Sequence, residues 1–405
     1  MKPTILLVST NSWLTPVRIA RAFADLGCRV QAACPQQSAL TISTAVSRIY
    51  PYRSFRSVGS VDAALESANP ELVVPCDDLA AAHLHAIYAR ATRAASPAAG
   101  RKTEILLRSM GSPASFSLVA SRQETMDLAS SEGLLVPSSA WIPDLLALDA
   151  WLAENGLPAV LKADCTSGGE GVRIVKTRQQ ARRAYRELVS RGPSTRTLKR
   201  MLIDADIACL ARTLRRDRPL VSVQQFIPGR DSNVAVACWK GEVLAQIAAL
   251  VLQARAPKGP AAVIKLIENP QMDAAVKKVV RRLNLSGFVG FDFLIEDRTG
   301  NAFLVEINPR ATQTCHLALG AGRHPVAALC TALTGAPPAR KHSVTARQTI
   351  VLWPHLPESS LPAEIAGQAY FDTPRRDPEI LRRYGSRTRF AWTNALKTLW
   401  RAARA

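Results

Sequence analysis

The chain has 405 residues, 47% of them apolar and 21% charged, with no run of eighteen apolar residues. That excludes a disordered chain and a helical integral membrane protein, and the length suits two or three packed domains. Lys and Arg total 52 against 32 acids, a formal charge of +20; it favours polyanionic partners, although a compositional bias toward Arg accounts for it equally well.

Eight cysteines are scattered, with no CxxC pair and no His at zinc-like spacing. A reducing cytoplasm is therefore expected, without a disulfide framework or a structural zinc site. The amino terminus has one Lys and a short apolar run, too little for a secretory leader, and reads as a first strand over 4–8. A helical pattern over 17–26 stops at Gly27. A strand over 28–33, a helix over Val61–Ala68 and a strand over 72–75 follow. These units predict a parallel, doubly wound α/β sheet over residues 1–100. The first turn lacks GxGxxG, which leaves a structural or substrate-side module rather than a dinucleotide site.

From about residue 100 the texture changes. Residues 115–119 read as loop or strand, 122–132 as a helix closed by Gly133, 136–143 as a strand edge and 145–156 as a helix. Strand, glycine-rich turn and strand then fill 157–175, and 178–218 reads as helical and very basic. Short strands recur at 220–226, 233–239 and 243–252, with a turn at Lys240-Gly241. A helix over 271–284 leads to strands at 290–295 and 302–307, joined by a turn at 297–300. The tail from 336 is rich in Pro, Ala and Arg and ends in a basic amphipathic pattern over 390–404. Such a stripe more often covers the protein's own core, and its alternative use is weak, salt-sensitive attachment to anionic bilayers.

Three segments carry chemistry. Lys162 ends an apolar strand, and Gly168, Gly169 and Gly171 follow in a turn. Glycines let backbone N–H groups surround an anion, and a nearby Lys supplies positive charge for phosphate oxygens. The spacing is not that of a Walker loop. Asp292 in Phe-Asp-Phe and Glu306 in Val-Glu-Ile are acids within apolar strands. An antiparallel hairpin closed at 297–300 pairs 292 with 306 and 294 with 304. Two carboxylates about 5 Å apart repel unless a cation or proton intervenes. With the Asn308 carbonyl on the same side, these hard oxygens suit Mg²⁺ completed by phosphate oxygens and water. In the third segment, Gln224-Gln225-Phe226-Ile227-Pro228-Gly229 breaks an apolar strand where backbone groups can read an adenine edge, and Asp231 can accept from ribose hydroxyls.

Taken in order, LPAVLKADCTSGGEGV, QQFIPGRDSN, GFDF and VEINPR resemble the ATP-grasp superfamily of carboxylate–amine ligases, over roughly residues 100–335. The resemblance implies an ATP-grasp domain at 101–335, with a small lid subdomain at about 157–222 and a catalytic sheet at about 223–335. An α/β domain at 1–100 precedes it and a basic extension at 336–405 follows. It implies ATP with Mg²⁺, or Mn²⁺ in its place, held by Asp292, Glu306 and Asn308. Lys162 and Arg122 resemble the phosphate-binding bases, and Gly168, Gly169 and Gly171 the phosphate loop. Gln224, Gln225 and Ile227 resemble the adenine hinge, Asp231 the ribose acid, and Arg310 the base that meets the terminal phosphate or acyl-phosphate. The implied activity is attack of a carboxylate on ATP and capture of the acyl-phosphate by an amine or thiol. The loop at 256–263 departs from the glycine- and serine-rich form common among relatives, and 193–219 resembles an insertion. A non-catalytic ATP-binding relative and a basic nucleic-acid or membrane-surface binder are the alternatives. No nucleic-acid-binding signature supports the latter. The histidines form no triad with a Ser or Cys, and His316 reads as a polar wall residue.

Overall fold

The computed structural model describes residues 2–94, 96–120, 122–163, 171–190, 221–255, 259–336, 343–356 and 363–385. The basic stretch at 193–219, Gly168, Gly169 and the amphipathic pattern at 390–404 lie outside these residues.

The amino-terminal part alternates strand and helix. Its elements are β1 (Thr4–Val8), α1 (Thr15–Asp25), β2 (Arg29–Cys34), β3 (Arg48–Pro51), α2 (Ser57–Ala68), β4 (Leu72–Pro75) and α3 (Asp78–Ala91). The strands are parallel in the order β3-β2-β1-β4. Alternation along β1 explains the double winding. Ile5 and Leu7 pack with Val17, Ile19 and Phe23 of α1, while Leu6 and Val8 pack with Val61, Leu65, Leu84 and Ile87 of α2 and α3. β3 was not expected. It is a four-residue edge strand in which only Tyr50 is buried, so it leaves almost no hydrophobic signal.

α4 (Pro97–Met110), α5 (Phe116–Ala120) and α6 (Arg122–Ser131) follow. The loop or strand expected at 115–119 is mostly helical. Phe116 and Val119 are both buried three residues apart, a spacing that lays them on one helical face.

A small antiparallel sheet in the order β5-β8-β6-β7 is built from β5 (Ser139–Ile142), α7 (Leu145–Asn155), β6 (Ala159–Ala163), β7 (Val172–Val175), α8 (Arg178–Ser190) and β8 (Val221–Gln225). One face buries Leu161, Val175 and Val223 against Leu148, Trp151 and Leu188 of the helices. The sheet therefore takes in β5 and α7, upstream of the expected start at 157.

The large sheet comprises β9 (Gly229–Trp239), β10 (Glu242–Ala254), β11 (Ala261–Leu266), β12 (Gly287–Glu296), β13 (Ala302–Asn308), β14 (Thr349–Leu352) and β15 (Tyr370–Asp372). The intervening helices are α9 (Pro270–Arg282), α10 (Pro325–Thr334) and α11 (Ala363–Gln368). Strand order is β13-β12-β9-β10-β11-β14-β15, antiparallel except for the parallel pair β14–β15. One face carries Phe291, Phe293 and Val236 against Val276 and Val280 of α9 and Met126 of α6. The other carries Ala235, Ala237 and Phe288 against Phe23 of α1 and Leu329 of α10, with the Phe23 and Phe288 rings 6.1 Å apart. The parallel module and the large sheet thus share one core. The boundary expected at 335/336 cuts through this sheet, because β14 pairs with β11 and buries Ile350 and Leu352 beside Ile247 and Leu266.

No helix among the described residues is long and apolar enough to cross a membrane.

Candidate active site

Asp292 on β12 lies directly opposite Glu306 on β13, as the hairpin arithmetic requires. The partner expected for Leu294 is wrong by one residue. Leu294 pairs with Phe303 because the register shifts just after Asp292, and Leu304 faces Phe293. A β-bulge of this kind bends the strand and re-aims its side chains. On its other side Asp292 faces Asn233 of β9, with Asp231 two residues away on the same face, opposite Leu294. Gly290 faces Asn308, so Asp292, Glu306, Asn308, Asn233 and Asp231 form one polar patch on the sheet.

Hydrogen bonds knit this patch to the parallel module. Asn308 Nδ2 donates to Asp292 Oδ2 at 3.0 Å, and its Oδ1 accepts from Arg310 Nη2 at 3.1 Å. Arg310 Nε donates to Asp78 Oδ1 at 2.6 Å, and its guanidinium lies over the Trp13 ring at 5.8 Å. Burial opposes the Arg310 charge, and Asp78 and Asp292 more than offset it. Asp78 starts α3 directly after Asp77, whose carboxylate caps Ala80 N at 2.9 Å and accepts from Thr10 N at 2.7 Å. These groups stand past the carboxyl ends of β1 and β4, where the strand order turns back on itself and α/β sheets place ligands. Ala311 N donates to Pro75 O at 3.0 Å and closes the seam. Asp78, Trp13 and Asn233 were not picked from sequence. An acidic pair following Leu-Val-Val-Pro at a helix start was the available signal for Asp78.

The Asp292 carboxyl is pushed up to about 7 by burial and by Glu306 across the strand, with Arg310 and Asn308 pulling the other way. Arg310 therefore answers only part of the negative charge at this patch. Among the described residues no group of three His, Cys, Asp or Glu forms a closed metal cage. Two carboxylates and one amide oxygen are a hard-oxygen set with coordination positions to spare, which fits Mg²⁺ completed by phosphate oxygens and water.

On the small sheet, Lys162 faces Val172 on one side and Ser222 on the other, and Val160 faces Gln224. Lys162, Val160 and Gln224 therefore share the face turned away from α7 and α8. Gln224 is buried there and Gln225 exposed. Gln225 N donates to Ser138 O at 2.8 Å, so that amide is engaged within the small sheet. Ile227 is buried in the three-residue link to β9. Gly229 opens β9 beside β12, and a Cβ there would lie 2.3 Å from Ile295 O. Gly171 is buried, and its carbonyl oxygen accepts from Ala163 N at 3.0 Å. Arg122 opens α6, the helix packed behind β13.

A parallel α/β module, a small antiparallel sheet and a large sheet bearing paired acids together define the two-sheet fold that clasps a nucleotide. Residues 123–314 match the model of the ATP-grasp domain. The carbamoyl phosphate synthase large chain of Methanoregula boonei is 26% identical over 209 residues. That match takes in 51% of this chain and 18% of the relative, so the chain spans less than a fifth of the curated proteins it resembles. Among solved structures, the biotin carboxylase domain of Hydrogenobacter thermophilus 2-oxoglutarate carboxylase, bound to MgADP, ADP and bicarbonate, aligns with a TM-score of 0.60. The alignment covers 84% of this chain and 72% of that one at 15% identity. Campylobacter jejuni biotin carboxylase gives a TM-score of 0.61 over 86% and 74% of the two chains, also at 15% identity. The fold is shared at these identities.

Proposed function

We propose that the chain is an ATP-dependent ligase that activates a small-molecule carboxylate as an acyl-phosphate and couples it to an amine or thiol. The observation that carries this reading is the Asp292–Glu306 pair with Asn308 on one sheet face, tied through Arg310 to Asp78 of the parallel module.

Mg²⁺ bound by Asp292, Glu306 and Asn308 would neutralise phosphate charge during transfer. Lys162 and Arg122 would hold phosphate oxygens from the lid side, with the backbone around Gly168, Gly169 and Gly171. Gln224, Gln225 and Ile227 would frame the adenine, and Asp231 would accept from the ribose. Arg310 would meet charge developing on the transferred phosphoryl group, with the Nε–Nη2 edge of its guanidinium held by Asp78 and Asn308. Catalysis of this kind is positioning and charge neutralisation and needs no covalent nucleophile on the protein. The reading also places the enzyme in the cytoplasm, where the six described cysteines, all buried thiols, would stay reduced.

The test is ADP release in saturating Mg²⁺ over a panel of paired carboxylates and amines. Turnover that requires both partners supports the ligase. ATP binding without turnover across the panel, or turnover indifferent to the carboxylate, would overturn it.

A further inference from the structure

Six of the described residues are cysteine thiols, and none belongs to the nucleotide site. Four of them, Cys34, Cys76, Cys238 and Cys315, have no exposed surface. Cys28 and Cys330 differ on two counts. They keep 8% and 6% exposure, and their sulfurs lie 3.5 Å apart although 302 positions separate them in sequence.

The two sulfurs come from different layers of the molecule. Cys28 sits between α1 and β2, with exposed Gly27 and Arg29 on either side. Cys28 N donates to Phe23 O at 3.1 Å and Arg29 N to Pro3 O at 2.9 Å, so the backbone here is fixed. Cys330 lies on α10, which packs on α1 and on β9 and β10 of the large sheet. A disulfide holds its sulfurs about 2.05 Å apart, so an approach of about 1.5 Å, a small side-chain rotation, would close this pair. The hydrogen bond from Cys330 lowers the Cys28 thiol against the opposing effect of burial, and it raises Cys330. Cys28 is therefore the sulfur that gives up its proton and acts as nucleophile.

We propose that Cys28 and Cys330 are a redox pair that hydrogen peroxide converts to a disulfide, fastening the parallel module to α10 behind the large sheet. The dithiol is the resting state. The Cys28 thiolate attacks one peroxide oxygen and breaks the O–O bond, giving a sulfenic acid and hydroxide, which takes up the Cys28 proton. The Cys330 sulfur then attacks the Cys28 sulfur and displaces its hydroxyl, which leaves as water with the Cys330 proton. Two thiols and one peroxide thus give one disulfide and two waters, and the two electrons lost by the sulfurs reduce the peroxide. Cys28 stands at the amino end of β2, whereas Asp78 and Arg310 stand past the carboxyl ends of β1 and β4. The bond therefore acts on the stability of the closure, by shrinking the freedom of the unfolded chain across a very long loop. This inference is independent of the ligase reading.

The test treats the native full chain with a small excess of hydrogen peroxide, then alkylates it and maps its peptides without reduction. Cys165→Ser/Cys209→Ser serves as the parent, which removes the two cysteines outside the described residues. The map should show the peptides bearing Cys28 and Cys330 joined and lighter by two hydrogens. Cys34, Cys76, Cys238 and Cys315 should be recovered as thiols after denaturation. The thermal midpoint of the oxidised chain should lie about 5 °C above that of the reduced chain. Dithiothreitol should reverse both changes, and Cys28→Ala and Cys330→Ala, each folded by circular dichroism, should show neither. The map of the parent decides the matter by itself where a variant does not fold. No joined peptide while circular dichroism stays native, a joint to another cysteine, a joint formed only after denaturation, or a midpoint that does not rise would each overturn the proposal.

Discussion

At the scale of single residues, Asn308 is the joint of the site. It donates to Asp292 and accepts from Arg310, so it links the acid patch to the base that reaches Asp78. Truncation to Ala breaks both bonds and removes one oxygen from the proposed cation set. Glu306→Gln keeps the shape but takes away one of two cross-strand charges. Each change should lower ATP turnover by about 10²–10³-fold, several kcal/mol of lost charge stabilisation, without unfolding the chain. Steady-state ADP release beside circular dichroism checks it, and near-normal turnover in either folded variant would remove the acid patch from the mechanism. The pairing of Asp292 with Glu306 was legible because acids inside Phe-Asp-Phe and Val-Glu-Ile violate the apolar pattern and the turn length fixes their register. The bulge beyond Asp292 was not legible, since nothing in Leu294 or Leu304 marks an inserted residue. Asp78 was equally hidden. Its partner Arg310 is 232 residues away, and an acidic pair at a helix start is explained locally by capping alone.

At the scale of elements, the hairpin β6–β7 offers a test of facing. Lys162 lies on the face turned from α7 and α8, while Arg173, next to Val172 on β7, points to the opposite side, opposite Leu161. Only the Lys162 face also bears Gln224. Lys162→Gln should weaken ATP binding by about tenfold or more, and Arg173→Gln should leave it unchanged within about twofold. Fluorescent nucleotide titration measures both; equal losses would show that bulk charge rather than the Lys162 face is at work. A second element, the start of β12, is governed by close approach. Gly287 has φ +85°, and a Cβ there would fall 2.1 Å from Ser109 O at the end of α4. Ser109 Oγ also accepts from Val73 N at 2.9 Å, so the displaced backbone is itself tied to β4. Gly287→Ala should cost about 2–4 kcal/mol, combining left-handed strain with a backbone clash, and denaturant titration reads it directly. Nothing in the sequence around Gly287 marks this contact, because its neighbour Ser109 comes from a separate helix.

At the scale of the whole molecule, the chain closes on itself through its amino-terminal helix and its last described strand. The sequence suggested a basic extension from 336, since Thr-Ile-Val-Leu and Tyr-Phe-Asp are short runs within Pro- and Arg-rich surroundings. Long-range pairing, which periodicity does not report, makes them strands of the large sheet. Two buried carboxylates pin this part to the amino-terminal module. Asp372 takes Arg18 and His316, and Asp377 takes Arg21, Ser43 and Thr44. Burial alone would raise both carboxyls, but His316 and Arg18 hold Asp372 below its ordinary value of 3.8, and Arg21 and Thr44 do the same for Asp377. A carboxyl depressed in the folded state binds its proton more readily once unfolded. Its stabilisation is therefore complete above about pH 4 and is lost as pH falls through the depressed folded values. Hydrogen exchange across 369–385 should accordingly speed up as pH is lowered from 4 toward 2, after correction for the intrinsic rate, and ahead of exchange in β9 and β12 of the sheet centre. Asp377→Asn, which leaves Arg21 and the Thr44 hydroxyl facing an uncharged amide, should show the faster exchange already at pH 6 and a stability loss of about 2–4 kcal/mol. Exchange in this segment that stays level with the sheet centre at low pH, together with a neutral Asp377→Asn, would mean that apolar packing of Ile350, Leu352 and Ile380 holds the closure without the ion pairs.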